Sequence, residues 1–153
     1  MAVTFNELGR QPLIGANFKD FILTNKINCV INCAALTDVN NSINKKTEFL
    51  NVNAHAVEYL SKICCEYNAQ LIHISTDYVY DENLRTPIIE DALTKPVNNY
   101  GKTKLSGDLA CSIMNPNSII IRTSWLYSSF GNNFVKKIID SMKIKKRLSI
   151  NKL

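Results

Sequence analysis

The chain has 153 residues, 46% of them hydrophobic and 20% charged, with a formal net charge of +5. Those fractions exclude a disordered chain, and the length suits one domain able to bury roughly two-thirds of its unfolded surface. No stretch approaches the roughly 20 apolar residues of a membrane span, and no basic segment followed by an apolar run opens the chain. A cytoplasmic protein without a membrane partner is expected.

Taken in chain order, the pattern predicts a short helix over 17–25, then a buried strand, Asn28-Cys-Val-Ile-Asn-Cys-Ala. A long helix follows over 45–67, with Phe49, Val52, Ala56, Leu60, Ile63 and Tyr67 along one face. The β-branched run from Ala69 to Ser75 is a second strand, followed by a loop punctuated by Pro87 and Pro96. A helix from Asn99 should end before Pro116, because proline has no N–H to donate. Ser118-Ile-Ile-Ile-Arg-Thr is a third strand, read as buried on both faces, and a basic helix comes last. Alternating strands and helices specify an α/β fold with a parallel sheet and right-handed crossovers.

From Phe134 onward there are seven basic residues and one acidic residue. Val135, Ile138, Ile139 and Met142 make an apolar stripe opposite the lysines, and no aromatic residue interleaves with the lysines to stack on bases. A solvated helix face is therefore favoured over a nucleic-acid surface. Cys29, Cys33, Cys64, Cys65 and Cys111 lack the paired spacing of a zinc site and are read as small buried apolar residues. His55 and His73 are read as structural, and no metal site is expected from spacing alone.

The informative stretch runs from Ser75 to Lys104. Hydroxyls at the carboxyl end of a strand sit where open α/β sheets place their ligands. Tyr100 and Lys104, four residues apart, share one helix face. A tyrosine with a pKa near 10 is a poor proton shuttle at neutral pH unless its anion is stabilised, and a lysine one turn away supplies part of that stabilisation. A hydroxyl from Ser75 or Thr76 can meet the negative charge that develops on a carbonyl oxygen. Taken alone, Tyr-x-x-x-Lys recurs by chance in many helices, and a structural role is favoured for the bare pair.

The surrounding motifs decide more. Val30-Ile-Asn-Cys-Ala-Ala-Leu-Thr-Asp-Val, Asn51-Val-Asn-Ala, Ser75-Thr-Asp-Tyr-Val-Tyr and Pro87-Ile-Ile-Glu-Asp are followed by Pro96-Val-Asn-Asn-Tyr-Gly-Lys-Thr-Lys-Leu, Arg122-Thr-Ser-Trp-Leu-Tyr and Gly131-Asn-Asn-Phe. In this order and spacing, over about Asn17 to Ile150, the chain resembles the extended short-chain dehydrogenase/reductases, most closely the dTDP-4-dehydrorhamnose reductase family. The resemblance implies an incomplete Rossmann-like, doubly wound parallel sheet. Residues 1–16 would be the remnant of a nucleotide-binding segment, and 17–153 a partial NAD(P)-binding domain carrying the catalytic residues. It implies reduction of the 4-keto group of dTDP-4-dehydrorhamnose to dTDP-L-rhamnose, a step in cell-surface polysaccharide biosynthesis, with NADPH or NADH. Mg2+ and a homodimer are compatible with it.

By the same resemblance Thr76 is the carbonyl-binding hydroxyl, Tyr100 the proton donor, and Lys104 the residue that tunes the tyrosine and holds the nicotinamide ribose. Ala34, Ala35 and Leu36 match the strand end along the cofactor, although Leu36 departs from the polar or aromatic residue usual there. Thr37, Asp77 and Trp125 match positions lining the sugar pocket. Asn53, an amide on the apolar face of its helix, needs a partner, either near the site or on a neighbouring strand. The opening, MAVTFNELGRQPLIGANFKDF, keeps only Gly9 of the glycine fingerprint that receives a pyrophosphate, and Gly15 does not restore it. Two function classes follow: a reductase, or a non-catalytic chain of the same shape that serves as a remnant or a regulatory subunit.

Overall fold

The computed structural model describes residues 16–81, 87–131 and 133–144. The glycine-poor opening, with Gly9 and Gly15, lies outside them. In chain order the elements are α1 (Ala16–Thr24), β1 (Cys29–Asn32), α2 (Lys46–Leu50), a π-helical turn (Asn51–His55), α3 (Ala56–Glu66), β2 (Gln70–Thr76), α4 (Asn99–Met114), β3 (Ile119–Thr123) and α5 (Phe134–Ile144). Two compact units divide between Arg122 and Thr123. The sheet order is β1-β2-β3, and β1 runs parallel to β2 with Val30 beside Leu71 and Asn32 beside His73. Strands that are neighbours both in sequence and in the sheet, each joined by a helical crossover, form the expected α/β pattern.

The core gathers between the sheet and the helices. Phe18 and Ile22 of α1, Val57, Leu60, Ile63 and Cys64 of α3, and Val30 and Leu71 of the strands form one buried cluster. The apolar stripe predicted on the long helix holds at Phe49, Leu60 and Ile63 but slips in between. Asn53 and Val57 are fully buried, whereas Val52 and Ala56 are half-buried. The π turn adds one residue to the repeat and moves the inward face on by one position.

Helix α4 starts where the Asn98 side chain accepts a hydrogen bond from the Gly101 N–H at 2.7 Å, satisfying an otherwise orphaned donor. It ends at Met114, two residues before Pro116. Its inward face is largely polar: Tyr100, Thr103, Lys104 and Asp108 are buried, with Gly101, Gly107 and Cys111 beside them. Apolar burial does not explain such a face, and buried polar groups are the informative ones.

Three expectations need correction. β3 is not covered on both faces: Ile120 packs against the core, but Ile119 and Ile121 alternate to the other side and are 48% and 42% exposed. Among the described residues β3 has one neighbouring strand. The cysteines divide, Cys64 and Cys111 being buried, Cys29 half-buried, and Cys33 and Cys65 exposed. On α5 the stripe has the predicted spacing, yet Val135, Ile139 and Met142 remain exposed.

Candidate active site

The carboxyl end of β2 and the first turns of α4 build the site. Thr76 closes β2, donates to the Asp77 carboxylate at 3.2 Å and accepts from the Tyr78 N–H at 3.3 Å. Tyr100, on the first turn of α4, is buried against the edge of the Tyr78 ring, with centroids 5.7 Å apart. The two predicted hydroxyls meet here. Burial raises the Tyr100 phenol above its ordinary pKa, while a hydrogen bond with the Thr76 hydroxyl works against that rise. Asp77, Tyr78 and Asp108 add negative potential and push it further up. The phenol therefore holds its proton at neutral pH.

Lys104, one turn further along, is only 2% exposed. Its amine donates to the Ile74 carbonyl of β2 at 2.7 Å and lies 3.4 Å from His73 Nε2. Burial pushes the amine down to about 8, opposed by the negative potentials of Asp108 and Cys33. The lysine is thus held by β2 and titrates close to neutrality.

Beneath Lys104 lies a buried polar line that the sequence reading missed. His73 is fully buried, and its Nδ1 faces Asn32 Nδ2 at 3.1 Å. Its Nε2 lies 3.7 Å from Asp108 Oδ1. Asp108, also buried, accepts from Arg122 Nε at 3.2 Å, and the guanidinium bonds the Tyr80 hydroxyl at 2.8 Å. Burial depresses the His73 imidazole to about 3, with the Lys104 charge adding to the effect. Burial also raises the Asp108 carboxyl, which hydrogen bonds from Ser75 and Arg122 pull back. One signal was available: Tyr100, Lys104 and Asp108 repeat every four residues, so a carboxylate shares the face of the reacting pair.

The other expected residues divide. Ala34, Ala35 and Leu36 follow β1 at its carboxyl end and are half-buried, and Thr37 beyond them is exposed. Asn53 is satisfied from the segment after β1 and from α4, not from a neighbouring strand. Its Oδ1 accepts from the Leu36 N–H at 2.9 Å, and its Nδ2 donates to the Leu36 carbonyl at 3.0 Å and to the Thr103 hydroxyl at 3.2 Å. The Thr103 hydroxyl donates to the Tyr100 carbonyl at 2.9 Å, so one amide ties the end of β1 to the reacting helix. Trp125 belongs to the second unit, where its ring packs edge-on against Phe134 with centroids 4.7 Å apart. A cleft of about 420 Å3 opens beside the start of α4, lined by Val39, Asn40, Ser42, Ile43, Val97, Asn98 and Asn99. Among the described residues no group of three His, Cys, Asp or Glu side chains is placed to hold a metal ion, so Mg2+ gains no support.

Comparison with known proteins fits this geometry. Residues 15–152 match the family model described as the RmlD substrate binding domain. The chain belongs to that family. Among RmlD relatives, dTDP-4-dehydrorhamnose reductase of Aggregatibacter actinomycetemcomitans is 33% identical over 142 residues, covering 86% of this chain and 48% of that protein. A crystal structure of the Clostridium acetobutylicum dTDP-4-dehydrorhamnose reductase is 39% identical with a TM-score of 0.78, covering 82% of this chain and 45% of that one. The Bacillus anthracis dTDP-4-dehydrorhamnose reductase, solved in complex with NADP, is 30% identical with a TM-score of 0.79, covering 83% of this chain and 45% of that one. The chain thus spans less than half the length of each of these RmlD relatives. Among its described residues no helix is long and apolar enough to cross a membrane.

Proposed function

We propose that this chain carries the reacting residues of an NADPH-dependent reductase that converts the 4-keto group of dTDP-4-dehydrorhamnose to the hydroxyl of dTDP-L-rhamnose. The observation that carries the reading is the buried Tyr100 phenol beside the Thr76 hydroxyl at the end of β2, with Lys104 one helical turn on. A carbonyl oxygen that gains negative charge needs a hydrogen-bond donor and then a proton. Thr76 supplies the hydrogen bond and Tyr100 the proton, which its raised pKa keeps in place at neutral pH. The cofactor, when bound, supplies the hydride. Ala34 and Ala35 fit such a group, because they follow β1 at its carboxyl end with methyl side chains only half-buried. Lys104 would face the nicotinamide ribose, and Thr37, Asp77 and Trp125 the sugar. The NADP-bound relative supports NADPH over NADH. A cytoplasmic site of action and a homodimer belong to the same proposal, the latter supported by Leu109 and Ile113, both exposed on α4.

The test joins the chain to the nucleotide-binding opening and C-terminal region of a relative. NADPH consumption is then followed with dTDP-4-dehydrorhamnose. Tyr100→Phe keeps the ring and removes the proton, so turnover should fall by about 10²–10⁴-fold. A folded chimera whose turnover survives Tyr100→Phe would remove the tyrosine from its role. A folded chimera that binds NADPH but never turns over would favour the non-catalytic reading.

A further inference from the structure

The Asn32 amide is oriented by the backbone. Its Oδ1 accepts from the Ala34 N–H at 3.1 Å, so its Nδ2 must be the atom 3.1 Å from His73 Nδ1. Turning the amide over would set its NH2 against the Ala34 N–H, a donor facing a donor. Nδ1 of His73 is therefore an acceptor, and the ring proton sits on Nε2. That placement settles what the two neighbours of Nε2 receive. Asp108 Oδ1, 3.7 Å away, faces the positive end of an N–H. The Lys104 amine, 3.4 Å away, finds no lone pair on the imidazole.

We propose that Asn32 and His73 are positioning residues for Lys104: Asn32 locks His73 as the Nε2–H tautomer, which denies the amine a partner in the imidazole and reserves its remaining hydrogens for a bound ligand. Among the described residues, the acceptor that then makes a short bond with the amine is the Ile74 carbonyl. The titratable or charged groups around it come from every element that meets it. They are Cys33 after β1, His73 on β2, Tyr100 and Asp108 on α4, and Arg122 of β3 behind Asp108. An imidazole that accepted from Lys104 would hold the amine on the sheet side and favour its charged form. The Nε2–H form does the reverse. The proposal rests on the reading of Lys104 as a ligand-facing residue, but the tautomer can be measured without any turnover.

The chain has two histidines, so labelling the imidazole nitrogens with 15N gives two ring systems, and exposed His55 serves as the reference. In the unmodified chain, His73 should show a pyridine-like Nδ1 and a pyrrole-like Nε2 that hold from pH 8 to pH 5.5. Asn32→Asp keeps an oxygen for the Ala34 N–H and offers a second one to Nδ1. It should move the ring proton to Nδ1, free Nε2 to accept from the amine, and raise the Lys104 titration, read from its 13Cε, by about 1–3 units. Asp108→Asn should lower the Lys104 titration and leave the His73 tautomer in place. A pyrrole-like Nδ1 or an imidazolium in the unmodified chain at pH 7 would overturn the proposal, whatever the variants do. A Lys104 titration that ignores a tautomer change in folded Asn32→Asp would overturn it as well. If the tautomer is as stated and the chimera is inactive, the reductase reading alone fails.

Discussion

Lowering the pH puts a proton on His73 in the unfolded chain long before the folded chain accepts one. The imidazole is fully buried, its Nδ1 is occupied by the Asn32 amide, and its folded pKa of about 3 lies well below the ordinary 6.5. A histidine depressed by folding contributes its stability above the unfolded value, and the protein loses it as pH falls from 6.5 toward the folded value. Within that window the unfolded state holds one more proton, so unfolding becomes easier by about 1.4 kcal/mol per pH unit. From pH 6.5 to pH 5 the loss from this residue is roughly 2 kcal/mol, a large share of an ordinary domain's stability. Asp108 acts in the opposite sense, since its raised folded pKa lets the native state take up a proton first as acid is added. Urea unfolding followed by circular dichroism at half-unit steps from pH 7.5 to pH 5 separates the two in a pair of proteins. His73→Asn keeps an acceptor toward Asn32 but has nothing to titrate. It should be less stable than the unmodified chain at pH 7.5, and the gap should close by roughly 2 kcal/mol by pH 5. Parallel profiles would show that His73 is charged or hydrated in the folded state.

Three further outcomes follow from the packing. Lys104→Met replaces a buried amine with an apolar chain of similar length; even after losing the bond to Ile74 it should stabilise the fold at pH 7 by about 1–2 kcal/mol in urea titrations. That advantage should shrink between pH 8 and 10.5, where the folded lysine sheds its proton before the unfolded one does. Asn53→Ala leaves the Leu36 N–H and carbonyl without their side-chain partner and should cost about 1–3 kcal/mol, with faster amide exchange at Leu36. Gly107→Ala would place a Cβ 2.2 Å from the Asn53 carbonyl oxygen, and because backbone has no rotamer to yield, thermal melts should report a loss of about 1–3 kcal/mol.

Much of the fold was legible because it rests on local pattern. The β-branched runs marked β1, β2 and β3, and a start at Asn99 with Pro116 beyond the end bracketed α4 within a residue or two. The Thr76–Tyr100 meeting was legible as well, since strand ends and helix starts meet at one edge of an α/β sheet. What escaped was set by tertiary contacts. A π turn leaves no mark in a hydrophobic repeat, so the burial of Val57 in place of Ala56 was hidden. His73 looked isolated because its partners Asn32, Lys104 and Asp108 come from β1 and α4, far along the chain. The exposed faces of Cys33 and Ile121 depend on what covers a sheet edge, and period alone does not specify that.

Helix α4 meets its surroundings through backbone at both ends of the reacting stretch. A Cβ at Gly101 would sit 2.2 Å from the Tyr78 carbonyl oxygen, as one at Gly107 would from that of Asn53. Contacts of this kind have no slack, because neither partner can rotate away. Lys104 lies between those two points of close approach and Tyr100 directly precedes the first, so their separation and aim belong to the seating of the whole helix. A change that lifted either end would tilt both side chains together and spoil the alignment without touching a reacting atom. The same seating leaves evolution free to vary outward side chains of α4 such as Lys102 and Ser106, while the inward row stays registered to the sheet.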